Sequence, residues 1–193
     1  MPIGVLALQG DFREHIATLE ACGADAIAVR TIAELERCNA LVIPGGESTV
    51  MQKLAVNYGL LDPIKKLIAN GFPVFGTCAG LIMLADEIID GIEGQAGFGG
   101  LPISVRRNAF GNQLDSFETD LEFAGIDGEP IHAAFIRAPI VERVGDGVEV
   151  LSKLSDGRVV AVKAGNLLGI SFHPEVTGEN RVHEFFLQMV HAA

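Results

Sequence analysis

Three residue types in this chain can do covalent chemistry together. Cys78 sits inside Gly76-Thr77-Cys78-Ala79-Gly80, and His173 and Glu175 sit inside Ser171-Phe172-His173-Pro174-Glu175. A thiol, an imidazole and a carboxylate make a nucleophile, a base and a group that orients the base. The imidazole takes the thiol proton. A carboxylate two residues on can bond the other ring nitrogen, fix the tautomer and stabilise the imidazolium. A cysteine alone is more often a buried packing residue. The glycine on each side reverses that weighting, because a sharp strand-to-helix turn needs residues without a Cβ on both flanks. Such a turn is a nucleophile elbow carrying sulfur. It places Cys78 at a helix N-terminus, where the dipole favours an anionic sulfur. It also aims the Ala79 N–H at the atom under attack, which is half of an oxyanion hole.

The second half has a candidate in Pro44-Gly45-Gly46-Glu47-Ser48-Thr49. Two glycines at the end of a strand leave backbone N–H groups free to point at a ligand, and Gly46 N–H is the expected second donor. Ser48 or Thr49 is read as the cap of the helix that follows. A phosphate loop is the rival reading, but its Gly-Lys-Ser/Thr signature is missing. The remaining histidines lack this context. His15 and His183 fall in helices as surface or packing residues, His132 lies on a strand, and His191 is near the chain end. Cys22 and Cys38 have no glycine bracket and read as packing residues. No ligand pair has metal-site spacing that leaves Cys78 free, so neither a metal nor a cofactor is expected.

The elements around these residues alternate. Ile3 to Leu8, Ala26 to Val29 and Leu41 to Ile43 are short apolar runs of buried parallel strands. Between them, Phe12 to Ala21 reads as a helix with Asp11 as its N-cap and Phe12, Ile16 and Leu19 on one face. A brief helix over Ala33 to Arg37 is capped by Thr31. Helices over 50–56 and 60–69 lead to the strand end Val74-Phe75 and the elbow. This order predicts an open parallel sheet with helices on both faces, which binds ligands beyond the carboxyl ends of its strands. After a glycine-rich loop over 91–100 the pattern changes to short strands near 103–105, 115–123, 131–136, 148–151, 159–162 and 166–172. Ser155-Asp156-Gly157 reads as a hairpin turn, so the second half is more antiparallel. A last helix, 180–191, turns Val182, Phe185, Phe186, Met189 and Val190 inward.

The chain has 193 residues, 49% apolar and 20% charged, which fits one globular domain spanning 1–193. A net charge of −11 argues against nucleic acid and anionic membranes as partners. Three unpatterned cysteines, no signal-peptide shape and no apolar run of membrane length point to a cytoplasmic protein.

The motifs PGGES, GTCAG and FHPE, in this order and spacing, resemble class I (triad-type) glutamine amidotransferases. LALQGDFREH, RNAFG, DSFET and FIRAP narrow the resemblance to the family of glutaminase subunits of pyridoxal 5′-phosphate synthase, over essentially the whole chain. The departures are small: Val50, Met51 and Gln52 after PGGEST, and Val176 after FHPE. The resemblance implies a three-layer, flavodoxin-like, mostly parallel sheet with an antiparallel extension in the C-terminal half. It implies that Cys78 attacks the side-chain amide of L-glutamine and that water hydrolyses the thioester. It implies that Gly46, Glu47 and Ser48 contact glutamine while Arg107, Ile136 and Arg137 close the pocket, an arginine suiting the substrate carboxylate. The partner it implies is a barrel-shaped synthase subunit in a hetero-oligomeric complex. That subunit condenses the ammonia with ribose 5-phosphate and glyceraldehyde 3-phosphate, and docking to it is expected to raise glutaminase activity.

Two other classes remain open on the residues alone. A different cysteine hydrolase or chaperone-like protein of related architecture would carry the elbow without FHPE near the end of the chain. A binding module could use PGGES to hold an anion, but it would need none of Cys78, His173 and Glu175.

Overall fold

The computed structural model describes residues 1–110 and 116–193, so Gly111 of the RNAFG motif and Asp115 of DSFET lie outside the described residues. The N-terminal half follows the predicted alternation. Strands β1 (Ile3–Leu6), β2 (Ala26–Val29), β3 (Ala40–Ile43) and β4 (Val74–Thr77) alternate with helices α1 (Phe12–Ala21), α2 (Ile32–Leu35), α3 (Ser48–Asn57) and α4 (Leu61–Ala69). Helix α5 (Ala79–Leu84) follows Cys78 directly and runs into β5 (Ala85–Ile88). Strands β6 (Leu101–Arg106), β7 (Phe117–Leu121), β8 (Ile131–Phe135), β9 (Ile140–Val144), β10 (Glu149–Lys153), β11 (Val159–Ala164) and β12 (Leu167–Ile170) fill the second half. Helices α6 (Pro174–Thr177) and α7 (Arg181–Ala192) end the chain.

Ten strands form the main sheet in the order β2-β1-β3-β4-β12-β11-β9-β6-β5, with β10 on β11, and β7 and β8 pair separately. The β1, β2, β3, β4 and β12 pairings are parallel. The pairings of β11 with β12, β9 and β10, and of β6 with β9, are antiparallel. The fold is thus the expected mostly parallel sheet with an antiparallel extension. Two strands, β5 and β9, escaped the sequence pattern. β5 is ADEI, with its two acids exposed on an edge strand, and β9 is IVERV, buried only at its start.

Side chains of the central strands are buried on both faces. Leu41 and Ile43 of β3 pack with Met51, Ala55, Ile64 and Ile68 of α3 and α4. Ala40 and Val42 of the same strand pack on the other side with Leu19 of α1 and Val182, Phe186 and Val190 of α7. That second layer also takes the β7–β8 pair and holds an aromatic group: Phe75 lies 5.4 Å from Phe186, and Phe135 lies 5.7 Å from Phe172. Each fully buried phenylalanine contributes roughly 1.5–3 kcal/mol. Among the described residues, no helix is long and apolar enough to cross a membrane.

The sheet order is what assembles the site. β12 lies between β4 and β11, with Ile170 level with Thr77, and β3 lies on the other side of β4, with Ile43 level with Gly76. All three strands are parallel, so the residues after them leave the sheet at one edge. Gly45-Gly46, Cys78 and His173 therefore meet there although His173 follows Cys78 by 95 residues.

Candidate active site

The elbow is built by close backbone contact. A Cβ on Gly76 would stand 2.5 Å from the Gly80 carbonyl, and one on Gly80 would stand 2.1 Å from the Ile43 oxygen. Only glycine lets α5 start this close to β3 and β4. Cys78, between them, is held at φ 51°, ψ −104°, a strained backbone that a nucleophile elbow imposes. Its N–H donates to Ile170 O at 2.9 Å, which pins the turn to β12. Cys78 is 7% exposed and lines a cavity of about 480 Å³.

His173 leaves β12 and donates its backbone N–H to Ala134 O at 2.9 Å. The residues that follow are not a plain turn. Pro174 starts the short helix α6, where its ring suits the first helical position. That turn brings Glu175 back beneath the imidazole, with Oε1 2.7 Å from His173 Nδ1. The Glu175 side chain is fully enclosed. Burial alone would push the His173 pKa down. A hydrogen bond to the Cys78 sulfur, the bond to Glu175 and the charges of both outweigh it and push the pKa up to about 10. The arrangement favours a proton on the imidazole, bonded to Glu175 and beside the Cys78 sulfur.

Gly46, Glu47, Ser48, Arg107, Ile136 and Arg137 line the same cavity as Cys78, Ala79 and His173. Several details differ from the sequence reading. Neither Ser48 nor Thr49 caps α3. Glu47 does, its extended backbone letting the longer side chain accept from Thr49 N at 3.3 Å and Val50 N at 2.9 Å. Ser48 Oγ instead accepts from Gln95 Nε2. Arg107 is already engaged: Nη2 lies 3.3 Å from Glu47 Oε1, and Nη1 donates to Gln95 Oε1 at 2.8 Å. Burial raises the Glu47 pKa, but the hydrogen bonds from Thr49 and Val50 and the Arg107 charge bring it below the usual range. Arg137 is exposed and sits at φ 45°, and with Cys78 and Asn108 it gives the cavity wall three non-glycine residues at positive φ. A larger hollow, about 630 Å³ between α2 and α4, holds Cys38 but none of these residues.

The loop after β1 contributes more than a turn. Gln9 Oε1 accepts from Glu47 N at 2.9 Å. Asp11 occupies the N-cap position of α1 without a side-chain cap bond. Its carboxylate instead lies 3.6 Å from His173 Nδ1. On α1 the buried stripe is His15, Thr18 and Leu19, while Phe12 and Ile16 are only half-buried. His15 and His183 are both fully buried, which rules out the surface role expected as one of two for them. A usable signal was present: polar residues directly after the first strand of an open sheet stand at its binding edge. His132, by contrast, is exposed between Glu118 and Asp120.

Comparison with known proteins bears on the whole chain. A 62% identical relative from Leifsonia xyli subsp. xyli, a pyridoxal 5′-phosphate synthase subunit PdxT, matches over 98% of this chain and 96% of its own. A relative of the same name from Nocardia farcinica is 56% identical, covering 99% and 86%. A crystal structure described as a glutamine amidotransferase superposes with a TM-score of 0.91 at 49% identity, covering 98% of this chain and 99% of that one. The sequence model of one family matches residues 5–192, from the first strand to the last helix. The elbow, the PGGES loop and the His173 strand end all lie inside that match, and the chain belongs to the SNO glutamine amidotransferase family.

Proposed function

We propose that this chain is the glutaminase component of pyridoxal 5′-phosphate synthase, a cytoplasmic enzyme acting as one domain over its full length. It hydrolyses L-glutamine to glutamate and ammonia, and the ammonia passes to a separate synthase subunit. The Cys78 sulfur attacks the side-chain amide carbon, and the carbonyl electrons move onto oxygen. Ala79 N–H and Gly46 N–H stabilise that oxyanion. The tetrahedral centre collapses as the His173 imidazolium gives its proton to the leaving nitrogen, so ammonia departs and a thioester remains. His173, now neutral, takes a proton from water; hydroxide adds to the thioester, and glutamate leaves as the sulfur regains its charge.

The observation that carries this reading is the 2.7 Å bond between His173 Nδ1 and Glu175 Oε1, with His173 lining the same cavity as Cys78. The cavity chemistry also suits an amino-acid zwitterion. Arg107 and Arg137 offer cations for the α-carboxylate, and Asp11 and Glu47 offer anions for the ammonium.

The test is ammonia release from glutamine by the wild-type chain and Cys78→Ala, with and without the synthase subunit. Release that needs Cys78 and rises with the partner supports both the chemistry and the docking dependence. No release in any condition, with the synthase active on free ammonia, would sink the reading.

A further inference from the structure

A buried polar chain runs behind the triad, away from the substrate cavity. His183 Nε2 on α7 lies 2.8 Å from His15 Nδ1 on α1. His15 Nε2 lies 3.1 Å from Thr77 Oγ1 and 3.6 Å from Glu175 Oε2. Thr77 is the residue before Cys78 on β4, and Glu175 is the residue that holds His173. One imidazole edge therefore faces both arms of the triad.

The protons can be assigned from what is left over. Among the described residues, His183 Nδ1 is buried with no hydrogen-bond partner, and so is Glu175 Oε2 by strict geometry. A buried N–H without an acceptor is rarer than an acceptor left bare. The His183 proton therefore belongs on Nε2, where His15 Nδ1 accepts it. His15 then must carry its own proton on Nε2, aimed at Thr77 Oγ1 and at the second oxygen of Glu175. Both rings are neutral near pH 7. Burial, then the charges of His183 and His173, holds His15 well below its ordinary value, and burial pushes His183 down to about 4. The His183 ring is fixed edge-on against Phe75, 5.4 Å between centroids, so it cannot turn freely.

We propose that His15 is a positioning residue of the triad: held in its Nε2–H tautomer by His183, it ties Thr77, beside the nucleophile, to the free oxygen of Glu175. This rests on the glutaminase reading. His15 touches no reacting atom and lies outside the cavity wall, so it acts through Glu175 and Thr77. The ionisable groups facing Glu175 are His173 and His15, with Asp11 beside His173 and His183 behind His15. Without His15, the enclosed Glu175 Oε2 loses the ring N–H that faces it at 3.6 Å, the one such contact among the described residues. The carboxylate then holds His173 less firmly.

The first test does not depend on activity. Nitrogen-15 imidazole spectra of the wild-type chain should show both His15 and His183 protonated on Nε2, and His183→Leu should release His15 into a mixture of tautomers. A His15 proton on Nδ1 would overturn the proposal. The second is glutamine hydrolysis in the complex with the synthase. His15→Leu should lower kcat by about 10- to 100-fold, the usual range for a group that orients a ligand through hydrogen bonding. KM should stay within about twofold. His15→Gln, whose amide reaches the Nε2 position, should restore most of kcat. Equal losses in His15→Leu and His15→Gln, or none in either, would refute the positioning role. A wild type without glutaminase activity would remove the function reading, while the tautomer result would still report on the buried chain.

Discussion

A methyl group added to Gly45 would stand 2.5 Å from Cε1 of His173 and 3.1 Å from Oδ2 of Asp11. The loop after β3 thus forms one wall against which the His173 imidazole lies. Gly45→Ala should push the ring away from Cys78 while leaving the strands intact. A displacement near 1 Å costs on the order of 100-fold in rate. The expected result is such a fall in kcat for ammonia release, with a melting temperature close to wild type. A variant with full kcat would mean that the ring is not held by this wall.

The ion pairing at His173 gives a pH prediction with a definite sign. Burial lowers the pKa, and Cys78 and Glu175 together raise it to about 10. Glu175→Gln removes one raising charge and keeps the burial, so the titration midpoint of His173 must fall. The protonated ring contributes stability that is complete below its unfolded value, near 6.5, and is lost as pH rises towards about 10. Wild type should therefore lose stability across that window, and Glu175→Gln should lose less of it. Histidine NMR titration and melts at a series of pH values check both. A midpoint unchanged in Glu175→Gln would show that the carboxylate does not set the proton's affinity.

The elbow and the His-Pro-Glu turn were legible because their signals are local. Gly76 and Gly80 bracket Cys78 within five residues, and Glu175 is two residues from His173. Their meeting was legible only through the rule that open parallel sheets bind at one edge. The insertion of β12 beside β4 depends on pairing between segments about 90 residues apart, which periodicity does not encode. His15 was hidden for a different reason. A buried polar residue at i, with Leu19 at i+4, extends a helical face without altering an apolar pattern read from Phe12, Ile16 and Leu19. The Glu47 cap was missed because capping preference favours short side chains, and Glu47 reaches Thr49 and Val50 from an extended backbone.

Glu47 carries two duties that one substitution should separate from catalysis. It caps α3 and pairs with Arg107 across the cavity. Glu47→Ala should cost about 1 kcal/mol, the usual loss for a helix cap. It should also free Arg107 from its partner and raise KM for glutamine more than it lowers kcat. Denaturant melts and steady-state kinetics measure the two effects. A change in kcat alone would place Glu47 in the chemistry instead.

Gly80 and Gly23 provide a matched pair that isolates close approach from backbone preference. At Gly80 the nearest obstacle is the Ile43 carbonyl oxygen, 2.1 Å from an added Cβ, and at Gly76 it is the Gly80 carbonyl, at 2.5 Å. These obstacles are backbone atoms of β3 and α5, and neither can swing aside as a side-chain tip would. Gly80→Ala can be accommodated only by lifting α5 from the sheet. That moves Ala79 N–H, carries Cys78 away from His173 and opens a gap among Leu81, Met83 and Leu84, all fully buried. Substitutions that force such rearrangements exceed about 4 kcal/mol, enough to unfold many domains. At Gly23, φ is +81° and nothing lies within 4 Å of an added Cβ. Gly23→Ala therefore meets only the left-handed backbone penalty, about 1–2 kcal/mol, and should keep full glutaminase activity at reduced stability. Equal melting temperatures for the two variants would mean that contact between α5 and β3 is not what fixes the elbow. A folded but inactive Gly80→Ala would show that Cys78 presentation fails before the fold does.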